Sequence, residues 1–311
     1  MKKIAIFGFG NHVKKNIIPA IARSDKLEIS FIIRRNIDDS FLNEYKSIKF
    51  ISLKESFKKI NHKNTNLIYI SNPTSEHYKC AKDAILNKFD VLCEKPLTDS
   101  FKKTKNLIDL AKSNSVFIKE VCIYKSHKQY EYLKNSIIPF LDEINFVESA
   151  FCIPALPEND FRYQKSLGGG ATLDLGYYPI SIILSLFGNP NSIESEVNYD
   201  KNLDIDIGGS AKLNFERFSA STIWQIGGSY KNFIKIYCDK KTYKFDRIFS
   251  KPHDFVSSYI ISEKDNNKEI VIGADDHFVN IFESDIKKTN NNHELLNSKY
   301  LENILIKGKC S

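Results

Sequence analysis

The sequence predicts a two-domain α/β chain, with a doubly wound parallel sheet over residues 1–121 and an α+β domain over residues 122–311 built on a large, mostly antiparallel open sheet. Length is the first reason, because 311 residues exceed one ordinary hydrophobic core and suit two. Rhythm is the second. Up to Val121 short apolar runs alternate with amphipathic stretches, as parallel strands do when right-handed helical crossovers join them. Beyond Val121 apolar runs follow one another across short polar turns, which favours antiparallel pairing.

In order, Lys3 to Gly8 reads as a strand, Val13 to Ala22 as a helix, Leu27 to Arg34 as a strand and Leu53 to Lys59 as a helix. Leu67 to Ser71 is a third buried strand. His77 to Asn87 is a helix, Asp90 to Glu94 a strand, Ser100 to Asn114 a helix and Val116 to Val121 a strand. In the second half a helix from His127 to Ile138 precedes strands near Asn145 to Cys152, Ser192 to Asn198, Gly208 to Phe215, Ser219 to Gln225, Phe233 to Cys238 and Lys241 to Asp246. Thr172 to Phe187, Asp276 to Lys287 and Ser298 to Lys307 read as helices, and Lys287 to His293 as a solvated loop.

Composition narrows the function classes. At 42% hydrophobic and 27% charged residues the chain is neither disordered nor membrane-embedded in type. Its net charge of +7 comes from lysines spread along the chain, so no nucleic-acid face is expected, although the field would favour an anionic small molecule. Cys80, Cys93, Cys122, Cys152, Cys238 and Cys310 fall in no metal or redox spacing and are expected to be reduced and mostly buried. The apolar run after Met1-Lys2-Lys3 is too short for a secretory signal, and no window reaches the ~18–20 apolar residues of a membrane span. A cytoplasmic location follows. The histidines show no HExxH pairing and no serine sits on a nucleophile elbow, so neither a metal centre nor a covalent hydrolase is expected.

Gly8-Phe9-Gly10-Asn11-His12-Val13 joins the first strand to the first helix. Glycines there permit the tight turn and let backbone approach a pyrophosphate at a helix start, the Rossmann arrangement, although Val13 replaces the third glycine of the usual fingerprint. An ordinary strand-to-helix turn is the bland alternative. Arg34 and Arg35 close the second strand, where an NAD-specific domain puts an acid on the ribose. Guanidinium forks suit a 2′-phosphate, so NADP(H) is favoured and NAD(H) is the alternative, with Asp38 and Asp39 close enough to serve the ribose instead.

Asn72-Pro73, His77 and then Val91-Leu92-Cys93-Glu94-Lys95-Pro96-Leu97 resemble the glucose-fructose oxidoreductase, inositol dehydrogenase and MocA family. The resemblance continues through Phe161-Arg162-Tyr163, Gly168-Gly169-Gly170 and Asp174-Leu175-Gly176-Tyr177-Tyr178-Pro179, and covers essentially the whole chain. It implies that Lys95 is catalytic, that Gly8, Gly10, Asn11, His12, Val13, Arg34, Arg35, Asn72, Pro73, His77 and Glu94 surround the cofactor, and that the second domain lines the substrate. Family members use His or Tyr as acid/base in the helix begun by this aspartate. Tyr178, four residues after Asp174, matches the tyrosine branch. Tyr230-Lys231-Asn232 and Asp246-Arg247-Ile248-Phe249-Ser250-Lys251-Pro252 are most similar to reductases of the 3-keto group of nucleotide-linked deoxysugars. A homodimer or homotetramer through the C-terminal sheet is implied as well.

The chemistry agrees with these assignments. Hydride delivery to a ketone produces an alkoxide that needs a proton donor, and Tyr178 can be it. Lys95 would favour the phenolate and orient ribose and substrate, and Asp174 could hold a sugar hydroxyl. A core aromatic and a helix-start residue are the structural alternatives for Tyr178 and Asp174. Arg162 is read as a substrate clamp or an ion pair, and Glu120 as a neighbour of the nicotinamide or a solvated carboxylate. Two other functions stay open, a non-catalytic dinucleotide sensor and a polyol or trans-dihydrodiol dehydrogenase.

Overall fold

A computed structural model describes residues 1–37, 45–139, 144–264, 266–284 and 291–308. Asp38, Asp39 and Cys310 lie outside the described residues. The chain divides into two compact units, Met1–Cys122 with Phe278–Asn291, and Ile123–His277 with Asn292–Ser311.

Among the described residues the first unit holds a six-stranded sheet in the order β3-β2-β1-β4-β5-β6. Its strands are β1 (Lys2–Phe7), β2 (Leu27–Arg34), β3 (Phe50–Ser52), β4 (Leu67–Ile70), β5 (Asp90–Glu94) and β6 (Ile118–Val121). Every pairing is parallel. This is the Rossmann order, which reverses direction at β1. The β4 residues Leu67, Ile68, Tyr69 and Ile70 are all buried, as a strand covered on both faces requires. Helix Thr74–Leu86 buries His77, Cys80, Ala81, Ala84 and Ile85, a stripe at helical spacing, and helix Phe101–Ser113 does the same with Thr104, Leu107, Ile108 and Ala111. Ser100 caps the latter by accepting from the Lys103 amide at 3.4 Å.

A division by sequence position alone does not foresee that residues from Phe278 return to this unit. The Phe282 ring lies 5.2 Å from that of Tyr69, Lys2 Nζ donates to the Phe282 carbonyl at 2.6 Å, and Asn291 donates to the Ile118 carbonyl at 2.8 Å. The short strand β3 was not expected either, because three residues of half-buried chain carry little periodic signal.

The second unit is built, among the described residues, on an eight-stranded sheet in the order β14-β13-β12-β11-β7-β10-β9-β8. Its strands are β7 (Ile144–Ile153), β8 (Ser192–Asp200), β9 (Ile205–Asn214), β10 (Ser219–Ile226), β11 (Lys231–Cys238), β12 (Thr242–Asp246), β13 (Ser257–Glu263) and β14 (Asn266–Gly273). Only β7 and β10 pair in parallel. Along β10, Ala220, Thr222, Trp224 and Ile226 are buried in strict alternation, so one face covers a core. The hairpin of β13 and β14 escapes sequence reasoning because its outer strand, Asn266–Gly273, is largely exposed and polar at its start.

The core side of this sheet is covered by Thr172–Gly176, a wide turn with i→i+5 geometry, continuing as helix Tyr177–Phe187. Gly176 makes the contact close: a β-carbon there would lie 2.9 Å from the Trp224 ring. Trp224, fully buried, donates its indole N–H to Thr172 Oγ1 at 3.0 Å. The apolar length of the run Lys165–Phe187 could cross a membrane, but 67% of its most apolar window is buried, as in a core helix. Cys80, Cys93, Cys122 and Cys152 are buried, and Cys238 is half-buried.

Candidate active site

In the first unit the loop after β1 turns at Gly8, whose φ of +104° is a glycine conformation. A β-carbon there would meet Asn72 Oδ1 and the Ser71 carbonyl at 2.6 Å, whereas one at Gly10 would meet nothing within 4 Å. Asn72 Oδ1 is buried without a hydrogen-bond partner among the described residues. Open backbone at Gly10, in a loop whose Gly8 abuts the unsatisfied Asn72 acceptor, is what a bound dinucleotide would use, so the residues present fit the cofactor. Asn11 is exposed on this loop, and the Val13 side chain is fully buried, so Val13 packs helix onto sheet and only its backbone faces the turn.

The end of β2 carries two arginines with different surroundings. Arg34 lies with its guanidinium 6.0 Å from the Phe9 ring, on which Lys14 Nζ also rests at 4.9 Å. Tyr45 stacks edge-on against Phe9 at 5.0 Å. Arg35 instead pairs with Glu76, whose carboxylate also accepts from Asn72 at 2.9 Å. Lys14 therefore joins Arg34 as a cation beside the loop. Its sequence neighbours, a run of polar residues in an amphipathic helix, gave no signal for it.

Glu94 is the last residue of β5 and Lys95 follows it, both half-buried. Tyr69 donates to Glu94 at 2.6 Å, and His12 Nε2 lies 3.4 Å from the same oxygen. Burial pushes the Glu94 carboxyl up, but the His12 ring and the Tyr69 hydroxyl outweigh it and hold the group below its usual range. His77, unlike the half-buried Pro73, has almost no open surface. His77 is 1% exposed, its nitrogens 2.9 Å from the Pro96 carbonyl and 2.8 Å from the Asn72 carbonyl. Burial lowers its pKa, and the neutral ring donates to one carbonyl at a time. It thus braces the turn at Asn72-Pro73 against the turn at Pro96. Glu120 is likewise buried and accepts from the Leu97 amide at 2.6 Å, so it holds the segment after Lys95.

In the second unit Asp160, Arg162 and Asp174 come together. Arg162 pairs through Nε with Asp174 and through Nη1 with Asp160 at 3.1 Å, and its guanidinium lies 4.6 Å from the Phe161 ring. Burial works against the charged form, yet the two carboxylates raise the Arg162 pKa above its ordinary value. Arg162 is thus held in ion pairs with both carboxylates. Gly169 is essential to this corner, since a β-carbon there would lie 2.5 Å from the Arg162 carbonyl. Asp206, reached from β9, accepts from the Thr172 amide and anchors the start of the helical run. Nothing in sequence connects Asp206 to that run.

Tyr178 is half-buried in an aromatic setting, with ring centroids of Phe151, Tyr177, Phe249 and Tyr124 at 5.0, 5.6, 5.8 and 6.5 Å. Ser181 donates to the Tyr178 carbonyl at 3.1 Å and stands 3.0 Å from the Tyr124 hydroxyl. The wide turn at Thr172–Gly176 contains Asp174 and ends two residues before Tyr178, and such turns concentrate at functional sites. Lys95 belongs to the first unit and Tyr178 and Asp174 to the second.

A Rossmann sheet with an open glycine loop defines a dinucleotide-dependent protein. The family model described as oxidoreductase family, NAD-binding Rossmann fold, matches residues 2–120, and the GFO/IDH/MocA C-terminal domain matches residues 140–244. The chain belongs to this family of NAD(P)-dependent oxidoreductases. The dTDP-3,4-didehydro-2,6-dideoxy-alpha-D-glucose 3-reductase of Streptomyces violaceoruber is 23% identical over 88% of this chain and 81% of its own length. Among solved structures, KijD10, a 3-ketoreductase from Actinomadura kijaniata in complex with NADP and TDP-benzene, matches with a TM-score of 0.88 at 20% identity, covering 98% of this chain and 97% of its own. An aldose-aldose oxidoreductase from Caulobacter crescentus matches with a TM-score of 0.86 at 14% identity over 99% and 97%.

Proposed function

We propose that the protein is an NADPH-dependent ketoreductase acting on a nucleotide-linked deoxysugar. One observation carries this reading: Tyr178 stands half-buried four residues after an arginine-paired Asp174, in a chain that also holds the Glu94-Lys95-Pro96 segment. Support comes from the 3-reductase relative and from the NADP named for the 3-ketoreductase structure.

When bound, NADPH supplies the hydride. The Tyr178 hydroxyl protonates the oxygen of the ketone as its charge develops. The Lys95 ammonium stabilises the phenolate that remains and orients the reacting groups. Asp174, its charge balanced by Arg162, accepts a hydrogen bond from a sugar hydroxyl. Arg34 and Lys14 receive the 2′-phosphate, which favours NADPH over NADH.

The rest of the expected setting belongs to the same proposal: a cytoplasmic enzyme that binds neither nucleic acid nor membrane and associates through the outer face of the second sheet. Ile223 on β10 and Val271 on β14 are exposed apolar residues that agree with such association. The test is a screen for loss of reduced-nicotinamide absorbance with keto sugars, free and nucleotide-linked. NADPH-dependent turnover of the nucleotide-linked compounds supports the proposal. Tight NADPH binding with no turnover of any of them would make the protein a sensor.

A further inference from the structure

The segment after β12 is put to no use by the chemistry above, although a buried side chain holds it by several hydrogen bonds. Arg247 follows the strand with a φ of +49°, a left-handed conformation that a residue with a β-carbon rarely adopts. Its guanidinium lies between two rings, 5.7 Å from Tyr230 and 5.2 Å from Phe255. Its Nε is buried with no hydrogen-bond partner among the described residues.

A buried asparagine fixes this arrangement. Asn232 takes the Arg247 amide on its carbonyl at 2.6 Å and the Phe249 amide on Oδ1 at 2.9 Å. Its Nδ2 donates to the Ser250 carbonyl at 2.9 Å and lies 3.0 Å from the Tyr230 hydroxyl. The loop is therefore held by backbone and asparagine hydrogen bonds, while among the described residues the guanidinium is in contact with its two rings. Such a rigid, weakly hydrated fork is suited to a phosphate.

A second basic side chain lies behind the loop. Lys251 is 5% exposed, and its Nζ has the Ile248 carbonyl as acceptor at 3.1 Å. Burial, opposed by Asp275 and reinforced by Arg247, pushes its pKa down to about 7. His127 and His277 pack nearby with rings 5.4 Å apart, and His127 Nε2 and Gln129 Oε1 are buried without hydrogen-bond partners among the described residues. Both rings are neutral near pH 7, since burial and Lys251 push His127 down to about 3 and His277 to about 4. Asp275 accepts from the Lys128 amide at 2.8 Å, and Asp246 is exposed and paired with Lys244 at 2.8 Å, so it is already matched. The loop also leads directly to the candidate acid: Phe249, two residues after Arg247, has its ring 5.8 Å from that of Tyr178.

We propose that Arg247, held between Tyr230 and Phe255 with Lys251 behind it, is the subsite that grips the diphosphate of a nucleoside diphosphate sugar whose sugar end reaches Tyr178. The inference rests on the keto-sugar reading of that site and assigns its specificity for the nucleotide-linked substrate to one arginine. Free sugars lack the group that Arg247 binds. They lose affinity rather than chemistry.

The test is calorimetric titration of the full chain, saturated with NADP⁺, with thymidine diphosphate. Thymidine diphosphate is expected to bind the wild type, and Arg247→Ala to weaken it on the order of 10- to 100-fold, the loss of charge-assisted bonds. Arg247→Lys should recover part of the affinity, because it keeps the charge without the fork, and thymidine should bind all three proteins equally weakly. NADPH affinity should not change. Thymidine diphosphate binding within twofold of wild type in Arg247→Ala, or no binding to the wild type, overturns the proposal. Should Arg247→Ala fail to fold, Arg247→Lys decides by the same comparison. Loss of the ketoreductase reading would look different: thymidine diphosphate would bind through Arg247 while no keto sugar nucleotide was reduced.

Discussion

Tyr178 sits among four aromatic rings, yet part of it remains open, so packing and chemistry can be separated by removing its hydroxyl. Tyr178→Phe keeps the ring contacts and deletes the proton. The rate should fall about 10²- to 10⁴-fold, roughly 2.7–5.4 kcal/mol of barrier, while the melting temperature stays close to wild type. Steady-state kinetics beside a thermal melt checks it. At the other end of the reaction, Lys14→Ala combined with Arg34→Ala should weaken NADPH by about 1.5–3 kcal/mol for each bond lost and leave NADH nearly unchanged. Equal weakening of both cofactors in a titration would place the 2′-phosphate elsewhere. Arg35, committed to Glu76, should matter less in the same experiment.

At the scale of elements, the helical run over the second sheet depends on a glycine and on a distant acid. A methyl group at Gly176 would press on Trp224 at 2.9 Å, so Gly176→Ala should cost about 1–3 kcal/mol, measurable by denaturant titration. The loop after β12 makes a pH prediction. Lys251 has a folded pKa of about 7, below that of the unfolded chain, so between pH ~7 and ~10.4 the unfolded state binds more protons and stability rises with pH. His127 and His277, pushed down to about 3 and about 4 by burial, with Lys251 also acting on both, add a rise of the same sign up to the ordinary histidine range. Lys251→Met should flatten the alkaline part of the stability profile. A profile unchanged in that variant would show that Lys251 is solvated.

At the scale of the whole molecule, what could be read from sequence was what repeats or contacts its own neighbours. The alternation up to Val121 announced the parallel sheet, and the glycine loop and Glu94-Lys95-Pro96 announced the cofactor unit. Polar edge strands such as β14 carry no apolar period and stayed hidden. So did the return of Phe278–Asn291 to the first unit, because its ties to Tyr69 and Lys2 join residues far apart in sequence. In the candidate site, residue types were legible and partnerships were not. Arg162 and Asp174 were both singled out, but only coordinates show that they pair, that His77 and Glu120 brace loops, and that Tyr69 and Asp206 support Glu94 and Thr172.

The proposed reaction moves a hydride from NADPH to the ketone carbon of a nucleotide-linked deoxysugar. Incubation with NADPH deuterated at the transferable nicotinamide position and a 3-keto nucleotide deoxysugar, followed by mass and magnetic-resonance analysis of the product, tests it most directly. One deuterium on the new carbinol carbon, in proportion to the NADPH consumed, is the predicted result. A keto sugar recovered unchanged beside intact, protein-bound NADPH would contradict it.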